Sequence, residues 1–92
     1  MSALIVVDLT PKDKGQLSTY SALAAETLIP YQGEFIAKGP IQVLHGESVY
    51  LTKVVIQFPD KDSAINWYNS SAYQKLIPTR DLGMESRFHL IG

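Results

Sequence analysis

Three side chains in the last third of this chain have the chemistry of a small ligand site. Tyr68, Tyr73 and Arg80 surround Asn69-Ser70-Ser71, a polar break between two helical stretches. Such a break can leave a pocket between helix and sheet, with two phenols and a guanidinium as anchors for a small organic acid or phenol. A planar carboxylate would pair with Arg80 in bidentate fashion while the tyrosine rings cover its apolar body. The competing reading gives the tyrosines to the core, with their hydroxyls tied locally, and pairs Arg80 with Asp81 or Glu85. A second pair is His89 with Asp8. If the last strand lies beside the first, an imidazole near a carboxylate can shuttle a proton at neutral pH. A hydrogen-bonded interface histidine is the alternative there.

Weaker signals follow. His45 and Glu47 share a turn, but a metal needs three or four converging ligands, so no metal site is expected. Asn69-Ser70-Ser71 fits the glycosylation pattern and reads more simply as a helix junction. The chain has no Gly-rich phosphate loop, His-x-x-x-His pair or Gly-x-Ser-x-Gly elbow, and no cofactor is expected.

The elements that must position these residues follow from hydrophobic period. Ala3 to Leu9 is a continuous apolar run rich in β-branched residues, the pattern of a central strand. Asp13 is a plausible N-cap for a helix in which Leu17, Tyr20, Leu23, Ala24 and Leu28 recur at helical spacing. Pro30 stops it and Gly33 lets the chain turn. From Glu34 the pattern alternates, with Phe35 and Ala37 on one face and Ile36 and Lys38 on the other. Gly39-Pro40 breaks this strand, Ile41 to Leu44 resume it, and the proline marks it as an edge. His45-Gly46-Glu47 turns into a third strand, Val49 to Phe58. Pro59 ends that strand and Asp60 caps a helix with Ala64, Ile65, Trp67 and Tyr68 on one side. Ser71 with Gln74 fits a capping box for a short helix that Pro78 terminates. Ser86 to Ile91 is the last strand.

The order β-α-β-β-α-β is the split ferredoxin-like motif, an α+β fold with a four-stranded antiparallel sheet. Residues 1–92 are read as a single domain of this kind. Two helices cover one face only. Ile5, Val7, Leu9, Phe35, Val54, Ile56, Phe58, Phe88 and Leu90 are assigned to it. The open face carries Leu4, Val6, Asp8, Ile36, Lys38, Lys53, Val55, Gln57, Arg87 and His89, a set too apolar to be bare and too polar to be a dry core. A second copy of the sheet resolves the conflict, so a homodimer through this face is expected.

Composition narrows the partners. Apolar residues make up 46% and charged residues 18%, high and low for so short a chain. A net charge of -1 without any Lys/Arg cluster gives no footprint for nucleic acid. Zero cysteines exclude disulfides and thiolate chemistry. MSALIVVDL has neither a basic leader nor a membrane-length run, so a soluble cytoplasmic protein is expected, with no membrane partner.

The first strand ending in VVDLT, the segment YQGEFIAKG, the turn VLHGE, and VVIQFPDKDSAINWYNSSAYQKL followed by Arg80 together resemble the domain-of-unknown-function family 1330. That family is similar to the dimeric α/β-barrel superfamily, in which two ferredoxin-like subunits join sheet faces. The superfamily includes cofactor-free monooxygenases, muconolactone isomerases, haem enzymes and proteins with no known activity. Lys38-Gly39-Pro40 stands where members usually show an Arg-Gly-Gly type sequence, and His45 where an acidic residue is common. The first reading is a homodimer that binds a small organic or aromatic molecule, with cofactor-independent proton-transfer or monooxygenase-like chemistry within its range. The alternative is a non-enzymatic structural or sensing module whose pocket is filled by its own side chains.

Overall fold

The structure, a computed structural model, describes residues 2–92. It is a four-stranded antiparallel sheet in the order β2-β3-β1-β4 with helices on one face, the expected ferredoxin-like α+β fold. Strand β1, Ala3–Pro11, is central. Its odd-numbered residues Ala3 to Leu9 are buried under the helices, while Leu4, Val6 and Asp8 are half-buried on the open side. The period-2 alternation therefore separates two environments within one strand.

Helix α1, Lys14–Leu28, starts where expected, with the Asp13 carboxylate accepting from the Gln16 amide at 2.9 Å. Tyr20, Ala24 and Leu28 are its buried stripe; Leu23 stays 41% exposed. A 3₁₀ turn, Ile29–Tyr31, leads out. The left-handed residue here is Gln32 at φ 57°, rather than Gly33. Gly33 serves close packing instead, since a Cβ on it would lie 2.7 Å from the Phe58 ring and 2.8 Å from Leu28.

Strand β2, Glu34–Pro40, is the edge its proline predicts. It carries a bulge: Phe35 pairs with Ile56, but Ala37 pairs with Val55, leaving Ile36 as the extra residue. An extra residue reverses the faces beyond it. Ala37 thus shares the open face with Val55, and Lys38, opposite Val54, turns to the helix-covered face. Both positions are the reverse of unbroken alternation.

Residues 41–51 form an irregular connection in place of the expected strand at Ile41 to Leu44 and the early start of the third strand at Val49. Pro40 has no amide to continue the ladder, and the Ile41 amide instead bonds the Leu51 carbonyl at 2.9 Å. Strand β3 runs Thr52–Phe58, with Val54, Ile56 and Phe58 buried.

Helix α2, Lys61–Asn69, is capped by Asp60, whose carboxylate accepts from the Ser63 amide at 2.7 Å. It buries Ala64 and Trp67 completely, whereas Ile65 is 37% exposed. Helix α3, Ser71–Gln74, is capped by Ser70 rather than Ser71, the Ser70 hydroxyl accepting from the Tyr73 amide. Gln74 then donates to the Tyr68 carbonyl at 2.6 Å. Pro78 opens helix α4, Ile77–Gly83, instead of ending a helix. In the first turn its missing N–H is no loss. Strand β4, Met84–Ile91, begins two positions before Ser86 because Pro11 and Thr10 extend the pairing to Met84 and Glu85.

Gly83 lets α4 lie against α1: a Cβ there would approach the Leu17 backbone nitrogen to 2.7 Å. Its carbonyl accepts from the Lys12 and Asp13 amides, joining the end of α4 to the start of α1. No helix among the described residues is long and apolar enough to cross a membrane.

Candidate functional site

Helices α2, α3 and α4 form the bent wall that carries Tyr68, Tyr73 and Arg80. Ser70 makes the bend, because its hydroxyl donates to the Trp67 carbonyl at 2.7 Å while capping α3. Tyr73 is thereby turned inward and is fully buried, its ring 4.3 Å from Trp67 and 5.1 Å from Tyr68 between centroids. Arg80 comes in from α4, over the face of Phe88 at 5.0 Å.

The structure brings the three residues together. Arg80 Nη1 donates to the Tyr68 hydroxyl at 3.0 Å and to the Tyr73 hydroxyl at 3.2 Å, while Nε donates to Asp81 at 3.1 Å. The Tyr73 hydroxyl also shares a hydrogen bond of 2.8 Å with Tyr20 on α1, a residue the sequence placed in the core stripe and nowhere else. Its signal was present: a buried phenol needs a polar partner.

Burial pushes the Tyr20 phenol well above the ordinary tyrosine range and raises the Tyr73 phenol above its ordinary value. Burial also works against the Arg80 charge, but the hydrogen bonds to Tyr68 and Tyr73 outweigh it and hold the guanidinium protonated. Tyr20 and Tyr73 are therefore neutral phenols beside one fixed cation. The knot can donate to an oxygen and stabilise negative charge there; it supplies no base. Bidentate capture of a carboxylate by Arg80 has to compete with the phenols on Nη1 and Asp81 on Nε.

Beside the knot lies an apolar cavity of about 200 Å³ between α1 and the sheet. Tyr20, Ala24, Val7, Val54, Ile56 and Phe88 form its body, and Lys38 reaches it from the β2 edge. A hollow of about 300 Å³ between α2 and β4 is lined by Ile65, Tyr68, Asn69 and Phe88. Phe88 separates the two spaces and lies under Arg80.

The model of the domain of unknown function DUF1330 matches residues 2–92. The chain belongs to this family. A protein of unknown function from Rhodopseudomonas palustris has a similar structure, with a TM-score of 0.79 at 10% identity over 98% of this chain and 80% of that one. A dimeric ferredoxin-like protein of unknown function from Jannaschia sp. CCS1 superposes with a TM-score of 0.69 at 16% identity, covering 100% of this chain and 99% of the other. SnoaB, a cofactor-independent oxygenase from Streptomyces nogalater, gives 0.68 at 13% identity over 99% and 91%. At such identities the likeness is one of fold. No curated protein matches the chain.

The second candidate pair is arranged differently in this member of DUF1330. Asp8 faces Lys53 on one side and Arg87 on the other, and it forms an ion pair with Lys53. His89 lies opposite Val6, exposed, one position along the same face from Asp8, and makes no hydrogen bond to it. The carboxylate is thus already engaged by a cation. Arg87 stacks over the Tyr50 ring at 4.5 Å. His45 and Glu47 are exposed in the 41–51 connection. Among the described residues no three His, Cys, Asp or Glu side chains converge as metal ligands.

Proposed function

We propose that this protein is a homodimeric small-molecule-binding domain whose ligand lies between α1 and the sheet, beside the knot formed by Tyr20, Tyr68, Tyr73 and Arg80. One observation carries the reading: an apolar cavity of about 200 Å³ shares Tyr20 with a hydrogen-bonded network that ends on a charged guanidinium. Mostly apolar cavities with a few converging polar groups are the usual form of small-ligand sites. A donor network of this kind stabilises negative charge on a carbonyl or phenolic oxygen, the proton leaving to solvent because the knot supplies no base. Cofactor-independent proton transfer or oxygenation belongs to the same reading, and the fold likeness to a cofactor-independent oxygenase is in keeping with it. A cytoplasmic location is part of it as well.

Dimerisation through the open face is supported by that face's own composition, in which Leu4, Val6 and Val55 are half-buried among Asp8, Lys53 and Gln57. The fold neighbours from Jannaschia and Thermobifida fusca are described as dimeric.

A second reading has its own observation. Among the described residues every buried side-chain nitrogen or oxygen has a hydrogen-bond partner, as expected of a knot that only holds α1 against α3 and α4. Mass spectrometry of small molecules released from the natively purified protein separates the two. Stoichiometric recovery of a compound with an apolar body supports the binding domain. Repeated recovery of an empty protein that also fails to bind small aromatic compounds contradicts it.

A further inference from the structure

The hydrogen bonds of the knot have a direction. A guanidinium has only donors, so Arg80 donates to both Tyr68 and Tyr73. Tyr73 is fully buried, and the acceptor within reach of its own proton is the Tyr20 oxygen at 2.8 Å. Either phenol can donate in that bond, and one phenol proton is left without a protein acceptor whichever does; if Tyr20 donated, it would be the proton on Tyr73, which does not line the apolar cavity. The order Arg80 to Tyr73 to Tyr20 would place that proton on Tyr20 instead and let each bond polarise the next. In that order Tyr20 keeps a proton that no acceptor among the described residues takes up, and Tyr20 is the network member that lines the apolar cavity.

The other end of the cavity is set by the β2 bulge. Lys38 stands opposite Val54 on the covered face and lines the cavity with Phe35 and Thr52. The ion pairs among the described residues are Lys53 with Asp8 and Arg80 with Asp81, so Lys38 has no carboxylate partner there. No acidic residue lines the cavity. The floor crosses from β4, which carries Phe88, to β2, which carries Lys38. Three strand spacings of about 4.8 Å make this roughly 14 Å.

We infer that the cavity takes an elongated aromatic or otherwise apolar molecule with a carbonyl or phenolic oxygen at one end and a carboxylate at the other. The oxygen accepts from Tyr20 and the carboxylate pairs with Lys38. The inference rests on the reading of this cavity as a ligand site and adds polarity, length and two anchors to it.

The test uses three probes on the intact protein by calorimetric titration: 6-acetyl-2-naphthoate with both end groups, 6-ethyl-2-naphthoate without the acceptor, and 2-acetonaphthone without the carboxylate. The first should bind most tightly. Lys38→Met should weaken the two acids about tenfold and leave the ketone unchanged. Tyr20→Phe, which keeps the ring in the core, should weaken the two ketones about three- to tenfold and spare 6-ethyl-2-naphthoate. Because Lys38 is exposed at the sheet edge, its variant remains informative even if Tyr20→Phe lowers stability. If all three probes bind and neither substitution discriminates among them, the anchors are wrong while the ligand site stands. If none binds the unaltered protein at millimolar concentration, the inference falls, and the site reading then depends on the released-molecule experiment.

Discussion

The two faces of this sheet treat polar groups in opposite ways. On the covered face Tyr20 and Tyr73 lie inside the core and bond each other, and half-buried Arg80 donates to Tyr73 and Tyr68 from its edge. On the open face Asp8, Lys53, Arg87 and His89 stand among Val6 and Val55, partly wet, with the Lys53 side chain 42% exposed. A buried polar group must be satisfied within its own chain or by a ligand, whereas a half-exposed one can wait for water or a partner. This contrast underlies the proposal of a small molecule for the covered face and a second copy for the open face.

The largest expected effect comes from breaking the covered face. Trp67 packs on Phe58 and Tyr73 and donates from Nε1 to Thr27 at 2.9 Å. Trp67→Ala should cost about 3–5 kcal/mol in a denaturant titration. A cost below about 1 kcal/mol would mean that this face is not the core.

Charge on the open face should act on association instead. Val55→Glu places an unpaired carboxylate in the proposed sheet-to-sheet contact, at a cost of about 3–5 kcal/mol to the dimer. Light scattering should find the unaltered protein dimeric at micromolar concentration and the variant monomeric with native circular dichroism. An unaltered protein that is already monomeric ends the proposal for this face.

Alkaline pH sharpens the comparison further. Unfolded tyrosine ionises near pH 10, and burial raises Tyr20 and Tyr73 above that in the folded state. Between the two values the folded chain keeps protons that the unfolded chain loses. Their contribution is therefore intact below about pH 10 and declines above it, by about 1.4 kcal/mol per pH unit for each phenol. Absorbance of tyrosinate followed beside circular dichroism should show these two phenols ionising only as ellipticity is lost. Ionisation of all five tyrosines in a chain that keeps its native spectrum would contradict their burial.

The smallest effect is expected at the knot's cation. Arg80→Met keeps most of the apolar stem over Phe88 but removes the donor to two phenols. About 1 kcal/mol lost there lowers Tm by about 4–8 °C for a domain of this size. An unchanged melt would show that Arg80 is not needed to hold the helices.

Much of this contrast was legible in the residues. Alternation in β1 and β3 separated Val7, Val54 and Ile56 from Val6, Val55 and Lys53, because one buried face imposes a period of two. Capping chemistry located Asp13 and Asp60, where a carboxylate meets free amides. What alternation could not reveal was the bulge after Phe35, since one extra residue leaves composition unchanged and reverses Lys38. Ser70 and Ser71 are equally good caps by type, and only the turn that buries Tyr73 decides between them. Pro78 reads as a stop or a start with equal right; the register of α4 against α1, held by Gly83, makes it a start. Tyr20 was placed by period as core, but its bond to Tyr73, 53 positions away, is a tertiary fact.

The proposed division of labour between faces is tested most directly by methyl-resolved NMR during titration of the protein with 6-acetyl-2-naphthoate. Val54 and Val55 are chain neighbours on opposite faces, as are Val6 and Val7. The account predicts that Val7, Val54 and Ile56 shift in proportion to bound ligand while Val6 and Val55 hold still. Shifts confined to Val6 and Val55, with the covered-face methyls unmoved, would place the ligand on the open face and contradict it.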